Sequence, residues 1–293
     1  MKKKKKTSFN RLTPKEWTKH SKSVWTAREV SSIRSKHHLE HGATFPTALA
    51  ERAIRMYTKP KDTVFDPFLG VGSTLLAARN LQRNGIGIEL YAKFAKISKG
   101  LLKQSTLFEE SVQTVIKDDC RNLEEHIKPR QIQLTFTSPP YANFIQRSVK
   151  DRIARQRAKN PKWTSRLISH NKSVVKQYGK NSNDFGNLEY EKFLVDAEEL
   201  MEKIYRVTKP GGYNVWVVKD HRDPQNGLPY IPIHYDIGKR GEKAGFKFHD
   251  LIVWDQNDQR SLVLLGYPTI FYTNINHTFL VVLHKPKIKR KIK

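Results

Sequence analysis

The residues best suited to chemistry lie where a short run of β-branched and aromatic residues meets two prolines. The run Gln133–Thr137 has the composition of a buried strand, and Pro139 and Pro140 must end it because each lacks an N–H and fixes its own φ angle. The Ser138 hydroxyl, the free backbone carbonyls and the ring of Tyr141 then offer hydrogen bonds and stacking to a planar, amine-bearing ring. The stretch predicts a nucleobase pocket, although a strand that ends in a rigid structural loop has the same pattern.

A second group of candidates surrounds two glycines farther upstream. Asp66 ends a predicted strand, Gly70 and Gly72 follow in a turn, and a helix is predicted to begin near Ser73. Glycines let a ligand approach the backbone closely, and a helix start offers free N–H groups. The spacing matches neither a nucleoside-triphosphate loop nor a complete dinucleotide loop. Glu89 ends the next predicted strand, where a carboxylate can accept both ribose hydroxyls of a nucleoside cofactor.

Alternating strands and helices must position these residues. Strands are predicted near residues 63–66, 85–90, 111–116 and 133–137, and helices at Thr47–Met56, after Ser73 and at Tyr91–Lys103. This alternation predicts an α/β fold with a doubly wound, mainly parallel, Rossmann-like sheet whose strand tips share one edge. Asp119, or its neighbour Asp118, follows the third strand and is a candidate to bind the exocyclic amine of an adenine.

The charge of the chain indicates a polyanionic partner. The sequence has 54 Lys+Arg against 28 Asp+Glu in 293 residues, a formal net charge of +26. Nucleic acid is the first candidate, and a chain kept soluble by lysine is the alternative. Cys120 is the only cysteine, which excludes an internal disulfide and a cysteine-based metal cluster. His37 and His38 lack partners at ligand spacing, so no metal site is predicted.

Neither a membrane nor a secretory location is expected. No run of 18 apolar residues is present, and no apolar segment follows the lysines at 2–6. A reducing, cytoplasmic location therefore fits the composition best. Residues 1–22 are polar and basic and are predicted to form a flexible arm, and residues 23–293 are predicted to form one domain.

The segment 142–190 is predicted to be a basic insertion in that domain. It holds 11 Lys+Arg against 3 Asp+Glu, interleaved with Phe144, Trp163 and Tyr178. Basic residues bind phosphates while aromatic and polar groups reach bases, so this segment is the first candidate for recognition of nucleic acid. A solvated, disordered loop is the alternative, and His221–Ile237 is a second candidate. The predicted contacts are Arg147, Arg152, Arg155, Arg157, Lys162 and Arg166.

Five segments in a coherent order resemble the S-adenosylmethionine-dependent amino-methyltransferases of DNA, which methylate cytosine N4 or adenine N6. Asp66–Thr74 is similar to the cofactor loop of that family, Thr137–Tyr141 to its catalytic motif, and His41–Pro46 to its methionine-side segment. Arg206–Gly212 with the strand after it, and Asn276–Pro286, are similar to later segments. The resemblance implies a seven-stranded type of methyltransferase sheet with S-adenosylmethionine as cofactor and double-stranded DNA as substrate.

The resemblance also assigns roles to residues. It places the amine and ring edge of a base, turned out of the duplex, against Ser138 and Pro139, with Tyr141 stacked on the base. It places the sulfonium near Phe68, the methionine end near Thr74 and the ribose on Glu89. The implied catalytic residues are Ser138, Pro139, Pro140 and Tyr141, and the implied cofactor residues are His41, Ala43, Phe45, Pro46, Asp66, Pro67, Phe68, Gly70, Gly72, Thr74, Glu89 and Asp119.

Cytosine N4 is the expected target, because a serine at the first position of the proline motif accompanies cytosine methylation more often in this family. The cofactor segments precede the catalytic one, unlike the permuted order common among N4-cytosine members. Adenine N6, an RNA base, and a non-catalytic nucleic-acid-binding protein on the same scaffold stay open as alternatives. A restriction endonuclease is a possible second partner, whereas the recognition sequence and the oligomeric state are not predicted.

Overall fold

The computed structural model describes residues 8–31, 44–103, 111–140, 142, 181–223, 227–260, 262 and 271–287. The strands are β1 Val24–Thr26, β2 Thr63–Asp66, β3 Asn84–Glu89, β4 Gln113–Lys117, β5 Ile132–Thr137, β6 Thr208–Val218, β7 His221–Asp223, β8 Leu228–Ile231, β9 Lys247–Asp255 and β10 His277–His284. The helices are α1 Pro14–His20, α2 Thr47–Tyr57, α3 Ser73–Asn80, α4 Ala92–Lys103, α5 Leu123–His126, α6 Tyr190–Val207 and α7 Ile233–Lys243. None of the helices in these ranges combines the length and the apolar composition that a bilayer crossing requires.

The described strands form one large sheet with the order β1-β9-β10-β6-β5-β2-β3-β4, and β7 and β8 form a separate hairpin. Every neighbouring pair in the large sheet is parallel except the two pairs that involve β10. This confirms the predicted doubly wound, mainly parallel sheet. The sheet has an eighth strand beyond the seven-stranded type, because β1 adds to the outer side of β9 in parallel register.

The two faces of the sheet are both buried, and β6 shows how. Val215 and Val217 lie in the core cluster that includes residues of α2 and α3, whereas Trp216 and Val218 lie in the cluster that includes residues of α6 and α7. Because side chains alternate along a strand, a strand covered on both faces is apolar at most positions, as β6 is at residues 215–218. The carboxylates of Asp66 and Glu89 lie where β2 and β3 end, at the carboxyl edge of the sheet.

Part of the segment predicted to be a flexible arm is folded onto the domain. Thr13 and Glu16 form a capping box that begins α1, and the buried Arg52 of α2 donates hydrogen bonds to the carbonyls of Lys19 and His20. These bonds satisfy the guanidinium where it is out of water. Residues 8–22 are thus attached through α2, and residues 1–7 lie outside the described part of the chain.

Candidate active site

A cleft of about 470 Å³ opens at the carboxyl edge of the sheet, where the tips of six strands and the turn after β4 meet. Its volume is in the range of small-molecule sites, and the cleft spans the point where the strand order reverses between β2 and β5, the usual ligand position in doubly wound sheets. The residues predicted from sequence that line it are Phe45, Asp66, Pro67, Phe68, Gly70, Glu89, Asp119, Ser138, Pro139 and Pro140.

The other predicted residues are placed differently. Pro46, Gly72 and Thr74 are described but do not line the cleft. His41, Ala43 and Tyr141 lie outside the described residues, as do the six predicted DNA contacts of the insertion, Arg147, Arg152, Arg155, Arg157, Lys162 and Arg166.

Asp66 links the glycine loop to the strand that ends at the Ser138–Pro140 motif. Its carboxylate accepts hydrogen bonds from the hydroxyls of Thr74 and Thr137, both at 2.6 Å, and from the Phe68 N–H at 3.0 Å. Burial raises the pKa of Asp66 to about 6, although these three hydrogen bonds favour the charged form. The hydroxyl of Thr74 thus donates to a carboxylate inside the protein and helps to fix Asp66. The predicted contact of Thr74 with the methionine end of a cofactor stays a prediction.

The glycine loop explains why α3 begins where it does. Gly72, the residue before α3, has a φ of +96°, and a Cβ there would lie 3.1 Å from the Ser98 hydroxyl oxygen. Side chains rarely adopt this conformation, so the position requires glycine. Ser98 in turn donates a hydrogen bond to the Gly70 carbonyl (2.8 Å), which holds the loop against α4.

Glu89 lies at the end of β3, next to the glycine loop, and lines the cleft. One carboxylate oxygen accepts the Gly70 N–H at 2.8 Å and the other accepts the Tyr91 N–H at 2.7 Å. Burial raises the pKa of Glu89 to about 7, and the nearby charges of Asp66 and Asp184 act in the same direction. A carboxylate has about four lone-pair positions, so two hydroxyl donors can still bind.

The sequence left Asp118 and Asp119 as alternatives, and the turn after β4 places their side chains in different surroundings. Asp118 points away from the cleft, where its carboxylate lies 2.7 Å from His126 Nε2, and this partner lowers the pKa of Asp118. Asp119 lines the cleft, accepts the Arg121 N–H at 2.9 Å and pairs with the Arg121 guanidinium. Of the two aspartates, Asp119 is thus the one that lines the cleft.

Asn183, Asp184 and Phe185, near the end of the predicted insertion, also line the cleft. The sequence predicted no role for these three residues. Asp184 accepts a hydrogen bond from the Tyr91 hydroxyl at 2.7 Å and another from the Gly186 N–H. The ring of Phe185 packs edge-on against Phe68, with 5.0 Å between centroids. The only sequence signal was the Asp-Phe-Gly order, which is typical of a side chain that caps a short turn.

The opposite half of the cleft is lined by residues for which the sequence predicted no role. Lys219 follows β6, Thr278 lies on β10, and Trp254 and Gln256 lie at the end of β9. The Thr278 hydroxyl donates to the Gln256 side-chain oxygen at 3.0 Å. Burial, with a smaller effect of the Arg260 charge, lowers the pKa of Lys219 to about 8. Carboxylates therefore line the cleft on one side of the Ser138–Pro140 motif, and the amino group of Lys219 lines it on the other.

The sequence of the chain is similar to those of known DNA methylases. The chain matches the DNA methylase family N6_N4_Mtase over residues 1–100 and 132–292. It is 32% identical over 127 residues to the Type II methyltransferase M.BglI of Bacillus subtilis. This match covers 43% of this chain and 35% of that protein. It is 36% identical over 105 residues to M.MthZI of Methanothermobacter thermautotrophicus, covering 35% and 30%. The chain thus spans about a third of the length of these relatives.

Proposed function

Because the chain belongs to the N6/N4 family of DNA methylases, we propose that it transfers a methyl group to the exocyclic N4 amine of a cytosine in double-stranded DNA. S-Adenosylmethionine is the methyl donor of this family, as the sequence predicted. The observation that carries the proposal is that the Ser138–Pro140 motif and the carboxylates of Asp66 and Glu89 share one cleft, with Asp66 bound to the residue just before Ser138.

The residues of the acidic half of the cleft fit the cofactor. Two carboxylates with unused lone pairs, Glu89 and Asp119, suit the ribose hydroxyls and the adenine amine, and the glycine loop leaves room beside the backbone. Phe68 would face the sulfonium, and Phe45 with Pro46 would lie near the methionine end. When bound, the cofactor supplies an electrophilic methyl group.

The catalytic motif acts on the amine of the target base. An exocyclic amine is a poor nucleophile because its lone pair is delocalised into the ring, so the protein has to localise and aim that pair. The Ser138 hydroxyl and the Pro139 carbonyl would accept hydrogen bonds from the amine hydrogens, and Tyr141 would stack on the base. Positioning of this kind supplies most of the rate in a direct transfer.

Ser138 would act by hydrogen bonding and not as a covalent nucleophile. A nucleophilic serine needs an adjacent general base, and no histidine is among the described residues that line the cleft. Direct transfer to the amine requires no covalent intermediate on the enzyme. The loss expected on replacing Ser138 is therefore a loss of orientation.

Substrate DNA would be held by the basic insertion. Its cations, Arg147, Arg152, Arg155, Arg157, Lys162 and Arg166, are proposed to bind phosphates, and His221–Ile237 is the second candidate for recognition. A restriction endonuclease as a partner and a cytoplasmic location complete the proposal.

Methyl transfer from labelled S-adenosylmethionine to unmethylated DNA and to RNA, measured side by side, tests this function. Label is expected in DNA for the wild-type protein, and at least 100-fold less for Ser138→Ala with unchanged cofactor affinity. Label in RNA alone would refute DNA as the substrate. Binding of DNA with no transfer to either polymer would support the non-catalytic alternative.

A further inference from the structure

Helix α4 has one exposed face that carries only lysines and small residues. The sequence of the helix contains no Asp or Glu, and its buried residues are Ala95 and Ser98. The exposed positions are Ala92, Lys93, Lys96, Lys99, Gly100 and Lys103. With 3.6 residues per turn, these positions fall within about 120° of the helix circumference. Lys93, Lys96, Lys99 and Lys103 therefore form one continuous row, the α4 lysine strip.

The α4 lysine strip has no anionic partner in the part of the chain that the structure describes. None of its four side chains forms an ion pair or a hydrogen bond there. Exposed lysines on other helices do have such partners, since Lys192 pairs with Asp196 and Lys239 pairs with Glu242. Like charges three or four residues apart repel each other and destabilise a helix. A bound polyanion would remove this repulsion.

Gly100 lies on the same face, and packing does not explain it. A Cβ at this position would meet no other heavy atom within 4 Å, so a larger residue would fit. Glycine also lowers the stability of a helix relative to alanine. What glycine does allow is the close approach of a large ligand to the backbone. The lysines thus surround a position where a polymer can lie close to the helix.

The α4 lysine strip begins beside the cleft. Tyr91 and Phe94 line the cleft, and Lys93 lies between them in sequence, with its amino group 5.8 Å from the centroid of the Phe94 ring. At 1.5 Å per residue, the distance along the helix from Lys93 to Lys103 is about 15 Å, which equals the rise of about four base pairs of duplex. A duplex whose target base enters the cleft continues beyond it, so its flanking phosphates are a polyanion of suitable spacing.

We propose that the α4 lysine strip binds backbone phosphates of duplex DNA outside the target site, as a contact surface separate from the basic insertion. The inference rests on the proposed function for its polymer, DNA, but not for the base that is methylated. Lysine binds phosphate as a point charge and reads no sequence, so this surface contributes to binding of any duplex. A solvated helix face and a surface for an acidic protein are the competing explanations.

The double variant Lys96→Gln/Lys99→Gln tests the inference, because it removes two charges from the strip. The matched control is Lys239→Gln/Lys243→Gln, which removes two exposed charges from α7. Helix α7 packs on β9 and β10, whereas α4 packs on β3 and β4 at the other end of the sheet. The readouts are the Kd for a labelled duplex of random sequence as a function of salt, methyl transfer to DNA, and the thermal unfolding midpoint.

The strip variant should bind DNA at least about tenfold more weakly at low salt and lose about two units of slope in log K against log salt, one for each phosphate contact. The control should lose less than about half a unit of slope. The unfolding midpoint of the strip variant should be no lower than that of wild type, because repulsion within the helix is reduced. Equal slopes for the two variants would show an effect of net charge alone and overturn the inference. So would an unchanged slope in the strip variant.

Protection of lysines from acetic anhydride measures the contact directly. Duplex DNA should lower the acetylation of the α4 lysine strip more than that of Lys239 and Lys243, as measured by peptide mass spectrometry. Equal acetylation of the strip with and without DNA would contradict the contact. If wild-type protein transfers no methyl group to DNA, the proposed function fails, while slope and protection still decide this inference. If it does transfer methyl groups and neither slope nor protection changes, the inference alone fails.

Discussion

We expect Glu89, as the proposed ligand of the ribose, to make cofactor binding depend on pH in a definite direction. Burial raises the pKa of Glu89 to about 7, and ribose hydroxyls bind best to the ionised carboxylate. With that pKa, roughly 10% of the groups are ionised at pH 6 and roughly 90% at pH 8. The affinity for S-adenosylmethionine should therefore rise about ninefold from pH 6 to pH 8, as measured by titration calorimetry.

The variant Glu89→Gln supplies the baseline for this measurement. It cannot ionise, so its affinity should be lower, by roughly 1.5–3 kcal/mol for each charge-assisted bond lost, and should show only the pH dependence that comes from the ligand and from Asp66. The amino group of the cofactor itself titrates near pH 8, which makes this baseline necessary. Wild-type and Glu89→Gln affinities that change in parallel between pH 6 and pH 8 would refute the assignment of Glu89 to the ribose.

The cofactor-free protein should show the opposite trend in stability. A carboxyl group whose pKa is raised from 4.5 to about 7 in the folded state contributes stability that is fully present below pH 4.5 and is lost as the pH rises through 7. The shift corresponds to roughly 3 kcal/mol in the free energy of unfolding. Denaturant unfolding without cofactor should detect this decline, and Glu89→Gln should reduce it.

Other parts of the chain give independent predictions. Replacing Arg152, Arg155 and Arg157 with alanine should weaken DNA binding and flatten its salt dependence by about one unit of slope per lost phosphate contact; an unchanged slope would exclude the insertion as the DNA clamp. Gly72→Ala should lower the free energy of unfolding by roughly 1–2 kcal/mol, because alanine resists the positive φ and would press on Ser98. Unaltered denaturant unfolding would contradict that explanation.

The strand tips could be predicted from the sequence because each buried strand ends at a clear chemical boundary. Apolar runs stop at Asp66, Glu89 and Ser138, and in a parallel sheet the carboxyl ends of strands meet at one edge. Local patterns therefore carried the fold class and ten of the residues that line the cleft. The start of α3 after Gly72 was predictable for the same reason, since the turn residues lie next to it in sequence.

Contacts between distant segments were not predictable in this way. Tyr91 and Asp184 are 93 residues apart, and only the folded chain brings the hydroxyl and the carboxylate together. The choice between Asp118 and Asp119 depends on the direction of one turn, which composition does not encode.

The folded attachment of residues 8–22 has the same origin. The basic, polar composition predicted a flexible arm, but Arg52 binds the carbonyls at the end of α1, and this contact depends on a residue more than thirty positions away. Composition describes the average solvation of a segment. It does not reveal a single buried cation that requires backbone acceptors.

The most direct test of the central claim is the identity of the methylated nucleoside. Unmethylated DNA would be incubated with the wild-type protein and S-adenosylmethionine, digested to nucleosides and separated by mass spectrometry, with Ser138→Ala treated in parallel. We expect N4-methylcytosine from the wild type and at least 100-fold less from the variant. N6-methyladenine without N4-methylcytosine would contradict the cytosine target, and no methylated nucleoside at all would contradict the proposed activity.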